Sequence, residues 1–196
     1  MKTIVWDVDD VLNDLMGAWL ADWTKANTAS RPLPYEGLST NPAHELLGIS
    51  RAEYLESLDT FRLCGKAAKL TPQPEVYEWF ARFGNTCRNV ALTAVPLSAA
   101  HVSADWVMRN FGKWIRSYNV APSSRAGDGE EILGETKSEF LLWWGKADVL
   151  VDDSEENVAG ARALGMAAVL FPRPWNRSLL TIEDALDELS KLAGLT

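Results

Sequence analysis

Short, almost wholly apolar runs alternate along this chain with longer stretches in which apolar residues recur every three or four positions. Runs at 3–8 (TIVWDV), 88–93 (RNVALT), 115–120 (IRSYNV), 147–152 (ADVLVD) and 166–171 (MAAVLF) predict five strands. Helical periodicity at about 98–111, 136–146, 154–164 and 181–193 separates and follows the later strands. Ser154 stands where it can cap the third of these helices, and Gly165 suits that helix's C-terminal end. Apolar strands alternating with helices predict an α/β, Rossmann-like parallel sheet covered by helices on both faces.

One interval breaks the alternation. About eighty residues separate the first strand from the second, far more than one crossover helix needs. Within it, 13–26 reads as a helix with Leu15, Trp19, Leu20 and Trp23 on a shared apolar side. A Pro-rich loop (RPLPYEGLSTNP) follows, then a short helix near 50–58 and another at about 75–83. We therefore expect a small helical cap, residues 13–74, inserted after strand 1 into a core of 1–12 and 75–196. Ligands of open α/β sheets bind outside the carboxyl ends of the strands, and an insertion there covers that place.

The polar residues gather at those same ends. Strand 1 runs into Asp7 and Asp9, strand 2 into Thr93 and Ala94, and strand 4 into Asp152 and Asp153. Lys137 opens the helix before strand 4. In a parallel sheet these groups converge on one edge.

Charge narrows the partners. A formal net charge of -8 argues against binding a nucleic-acid polymer, which needs clustered positive charge. A small anionic substrate remains compatible, because a metal or local basic groups can reverse the local field. Cys64 and Cys87 have no metal-ligand spacing and read as reduced, structural thiols. With no signal-like segment and no apolar run of membrane-spanning length, a cytoplasmic protein without a membrane partner is expected.

DVDDVL behind an apolar strand, then VALTA, TK and VLVDDSEEN, resemble in order and spacing the four motifs of the haloacid dehalogenase-like hydrolase superfamily. Within it, DVDDVLND, the insertion and VDDSEEN…FPRPWN are most similar to the 5′(3′)-deoxyribonucleotidase-like branch. The resemblance implies a Mg²⁺-dependent phosphatase for a small phosphomonoester, such as a (deoxy)nucleoside monophosphate, working through an aspartyl-phosphate. It makes Asp7 the nucleophile and a metal ligand. Asp9 is then the general acid and lends the metal its main-chain carbonyl. Asp153 and Asp152 complete the metal site, with Asp153 the expected direct ligand and Asp152 the holder of a bound water, though the pair is open to exchange. Thr93 and the Ala94 amide would bind the substrate phosphate. Lys137, preferred to Lys146, would neutralise charge on nucleophile and phosphoryl group. Phosphatases and phosphomutases of the superfamily carry an acid where Asp9 stands; dehalogenases and ion-pumping ATPases do not.

Two other readings share these residues: a phosphomutase or phosphotransferase with the same aspartyl-phosphate, and a non-catalytic phosphate-ligand-binding protein. Asp10 stands where relatives often have Gly, and Asp14 reads as support for the first helix. Leu15 occupies a position that the branch can fill with an aromatic residue, for which Trp19 could compensate; Trp19 and Trp23 could face the substrate, although core packing is the simpler role. Trp79, Trp106, Trp143 and Trp144 read as core or interface, His44 and His101 as structure or surface. Arg173 could meet an anion or lie on the surface.

Overall fold

In the computed structural model, which describes residues 1–27, 33–123 and 135–195, five strands form one parallel sheet: β1 (Thr3–Trp6), β2 (Arg88–Thr93), β3 (Ile115–Val120), β4 (Val149–Asp152) and β5 (Ala167–Leu170). Their spatial order is β3-β2-β1-β4-β5, so β1 is central and the chain reverses direction across the sheet between β1 and β4. Helices α1 (Leu15–Ala26), α2 (His44–Leu47), α3 (Arg51–Leu63) and α4 (Pro74–Phe83) lie between β1 and β2. Then come α5 (Leu97–Phe111), α6 (Lys137–Trp144), α7 (Glu155–Ala163) and α8 (Ile182–Ala193).

Successive residues of β1 point to opposite faces of the sheet. Ile4 and Trp6 join a cluster with Trp79, Phe80, Phe111 and Leu189, which seats α4, α5 and α8 on one face. Val5 points the other way, toward Phe140, Leu141 and Val158 of α6 and α7. Both faces are thus buried, as continuous apolar strands require.

Local chemistry sets the ends of the elements. β1 stops at Trp6 rather than Val8 because the Val8 carbonyl accepts the amides of Val11, Leu12 and Asn13, turning the chain sharply. Asp10 sits in that turn at φ 64°, the left-handed region that Gly favours and Asp tolerates. A capping box of Thr136 and Glu139 opens α6, and Gly145 closes it at φ 62°. Ser154 caps α7 by accepting from the Asn157 amide.

The region between β1 and α4 has its own apolar cluster, including Leu15, Met16, Trp19, Leu38, Tyr54 and Phe61. Its chain leaves and returns side by side: Asn13 bridges Pro72, and the Gln73 amide donates to the Leu12 carbonyl at 2.8 Å. The sequence pattern ends its second helix near 58, whereas α3 continues to Leu63, because Phe61 and Arg62 are also buried. Part of the Pro-rich loop, at 31–32, lies outside the described residues. Trp19 packs inside this cluster, its indole donating to the Ser57 hydroxyl, so it is core rather than a substrate wall. Trp143, expected as core or interface, is 64% exposed. Among the described residues no helix is long and apolar enough to cross a membrane.

Candidate active site

Asp7 lies one residue past central β1, where its amide still extends the ladder to the Val151 carbonyl of β4. Its carboxylate Oδ1 accepts the Val8 amide at 2.7 Å and the Lys137 ammonium at 2.8 Å. Lys137, the first residue of α6, also reaches Asp152 Oδ2 at 2.7 Å. Its side chain is 2% exposed. Burial would lower the Lys137 pKa, but the Asp152 and Asp7 carboxylates outweigh it and keep the ammonium charged. Lys146, the rival cation, is exposed at the opposite end of β4.

Asp152 and Asp153 differ in how their oxygens are used. Asp152 Oδ1 accepts the Ser154 amide and the Asn157 side-chain amide, and Oδ2 accepts Lys137. Asp153 accepts the Trp175 indole at Oδ2, and Asn176 Nδ2 donates to its main-chain oxygen. No hydrogen bond from a described residue falls on Asp153 Oδ1 or Asp7 Oδ2.

Oxygens of Asp7, Asp152 and Asp153 all lie within 4.8 Å of one another and are buried. Burial raises the Asp7 pKa well above its usual range against the pull of Lys137, and the other two carboxylates push the same way. Burial pushes Asp153 up to about 7, with Asp152 adding to it. Three buried carboxylates face one ammonium, leaving a charge that a divalent cation would balance. An all-oxygen donor set suits a hard cation such as Mg²⁺. The residues therefore fit the ion.

A cavity of about 410 Å³ opens over this centre. Asp7, Asp9, Thr93, Ala94 and Asp153 line its floor; Leu15, Met16, Arg51, Tyr54, Leu58 and Arg62 line the side toward the inserted helices. Thr93 ends β2 beside β1, so the parallel register brings it to Asp7 from 86 positions away.

Of the supporting residues, Arg62 carried no sequence signal. Arg62 is buried and divides its guanidinium between Asp9 Oδ2 and Asp59 Oδ1, at 3.0 Å each. Burial opposes its charge, but Asp9 and Asp59 hold its pKa raised. Arg173 turns inward, donating to the Asp10 carbonyl at 2.5 Å and the Asn13 carbonyl at 3.3 Å. It straps down the loop that carries Asp9. Asp10 is buried and accepts the Met16 amide at 2.8 Å, while Asp14 caps α1. Burial raises Asp10 to about 8, with Arg173 opposing.

Asp10→Ala is accordingly expected to lower stability by about 1–3 kcal/mol, the cost of a buried amide left without an acceptor. Asp10→Asn keeps the acceptor and tolerates positive φ, so it should melt near the wild type. Thermal unfolding of the two variants checks this, and equal melting of both would remove the Met16 bond as the cause.

An open parallel sheet with an acidic centre at its switch point and helices inserted after its first strand is the arrangement expected of a haloacid dehalogenase-like hydrolase. The chain belongs to the family described as 5′ nucleotidase, deoxy (pyrimidine), cytosolic type C protein (NT5C), whose model matches residues 1–188. Solved structures agree on the fold. A haloacid dehalogenase-like hydrolase from Streptococcus pneumoniae superposes with a TM-score of 0.64 at 12% identity, covering 100% of this chain and 99% of its own. A haloacid dehalogenase-like protein from Agrobacterium tumefaciens gives 0.62 at 15% identity, with 100% and 99% covered. A 2-haloacid dehalogenase from Pseudomonas syringae gives 0.50 at 20% identity, with 99% and 98% covered. No curated protein matches the chain in sequence.

Proposed function

We propose that this protein is a Mg²⁺-dependent phosphatase of small phosphomonoesters, with a nucleoside monophosphate as the favoured substrate. The observation that carries the reading is the buried Asp7 carboxylate, pinned by Lys137 and the Val8 amide at the floor of the cavity. The family's description supplies the nucleotide. It also supports a cytoplasmic location.

Asp7 attacks phosphorus, forming the aspartyl-phosphate as the ester bond breaks. Asp9 protonates the departing oxygen and then takes a proton from the water that hydrolyses the intermediate. The Thr93 hydroxyl and Ala94 amide donate to phosphoryl oxygens. Lys137 keeps positive charge beside the nucleophile throughout. Asp7, the Asp9 carbonyl and Asp153 would hold Mg²⁺, which offsets repulsion between carboxylate and phosphate. Asp152, its oxygens already taken by Lys137, Ser154 and Asn157, would orient the site and leave direct ligation to Asp153. Residues 13–74 serve as the cap, and 1–12 with 75–196 as the core.

The test is phosphate release from nucleoside monophosphates, sugar phosphates and simple phosphomonoesters, with Mg²⁺ and with chelator. Mg²⁺-dependent release from a nucleoside monophosphate is expected. Equal release in chelator would remove the metal from the mechanism. Fastest turnover on a sugar phosphate would change the substrate class. A phospho-Asp7 that persists without phosphate release on any ester would point to a phosphotransferase.

A further inference from the structure

Trp175 belongs to the loop after β5, yet its ring links two parts of the molecule. Its indole Nε1 donates to Asp153 Oδ2 at 2.7 Å. The ring itself packs against the apolar cluster of the inserted helices. There it meets Tyr35 edge-on, with ring centroids 6.2 Å apart and planes at 81°. The next residue grips Asp153 from behind: Asn176 Nδ2 donates to the main-chain oxygens of Asp153 and Phe171, both at 2.8 Å. Consecutive residues of one loop thus fix the side chain and the backbone of Asp153.

An indole N–H can only donate, so it engages one carboxylate oxygen and settles which way the group faces. With Oδ2 taken by Trp175, Oδ1 is the oxygen of Asp153 that no described residue engages. Hydrogen bonds of this kind to ligating carboxylates typically change metal affinity 10–100-fold. The apolar body of the same ring is held by the insertion, so displacing the insertion disturbs the bond that orients Asp153.

We propose that Trp175 is a positioning residue that couples cation binding at Asp153 to the seating of the cap. The proposal rests on the reading of Asp153 as a cation ligand. Coupling of this kind is reciprocal: whatever factor cap seating adds to Mg²⁺ affinity, Mg²⁺ returns as cap seating.

The experiment is Mg²⁺ titration by calorimetry, together with amide hydrogen exchange across residues 33–63, on the full chain and on Trp175→Phe and Tyr35→Ala. Melting in chelator confirms that each variant is folded. Wild type is expected to bind Mg²⁺ and to slow exchange in the insertion when it does so. Trp175→Phe should bind Mg²⁺ roughly 10–100-fold more weakly. At saturating Mg²⁺ it should show little of the slowed exchange. Tyr35→Ala, which touches no proposed ligand, should weaken binding by a smaller factor. Wild-type Mg²⁺ affinity in a folded Trp175→Phe overturns the proposal while leaving the metal site standing. Exchange in the insertion that ignores Mg²⁺, in a wild type that binds it, also overturns the coupling. A wild type that binds no Mg²⁺ would instead defeat the metal reading, and the proposal with it.

Discussion

Asp7→Asn is expected to cut phosphate release by roughly 10⁴-fold or more, the scale on which losing a covalent nucleophile is felt. The amide is nearly isosteric but cannot form the acyl phosphate. Its effect on stability should be slight or favourable in chelator, because burial and two neighbouring carboxylates already disfavour the charge at this position. The variant can still accept from Lys137 and the Val8 amide, so the loop geometry should survive. Activity and thermal unfolding measured on the same preparation separate chemistry from folding. Turnover within tenfold of wild type, on whichever ester is hydrolysed, would sink the assignment of Asp7.

Lys137→Met should fail in both respects. Its ammonium is the one buried cation bonded to Asp7 and Asp152 among the described residues, at 2.8 and 2.7 Å. Removing one partner of a buried ionic network leaves the carboxylates without their counter-charge, a loss of about 3–5 kcal/mol. For a chain of 196 residues that corresponds to a melting point lower by roughly 10 °C in chelator. Mg²⁺ should recover part of it, since the cation supplies positive charge to the same oxygens. Activity should not return with stability, because the charge beside the transferring phosphoryl group is gone. Arg is a poor substitute: its guanidinium is broader than the ammonium and the site is closed. A Lys137→Met protein that melts with the wild type would show that these carboxylates do not depend on the ammonium for their burial.

Lys137 also illustrates what was legible in advance. It follows Thr136 at a helix start, and a Thr-x-x-Glu box marks that start in the sequence. The Asp residues were legible for a similar reason, each standing where an apolar run ends. Once the strands are parallel, such ends must meet, so Asp7, Thr93, Asp152 and Asp153 could be placed together before any coordinates. The insertion was visible as excess length. Its interior was not: the helix expected to end near 58 runs on to Leu63, and Phe61 and Arg62 of its last turn are buried by tertiary contacts.

Spacing along the chain explains the remaining omissions. Arg62 meets Asp9 across 53 positions, Trp175 meets Asp153 across 22, and Arg173 meets Asp10 across 163. None of these pairs shares a helix or a strand, so no periodicity relates them, and an isolated Arg or Trp looks the same whether it is solvated or bound. Period and punctuation, being local, established the sheet, the order of its motifs and the residues at its carboxyl edge. Which carboxylate keeps an oxygen free, which side chains hold the nucleophile loop, and which tryptophan reaches Asp153 depended on packing between distant segments. Desolvation, and the hydrogen bonds it makes obligatory, arise only when those segments close on one another.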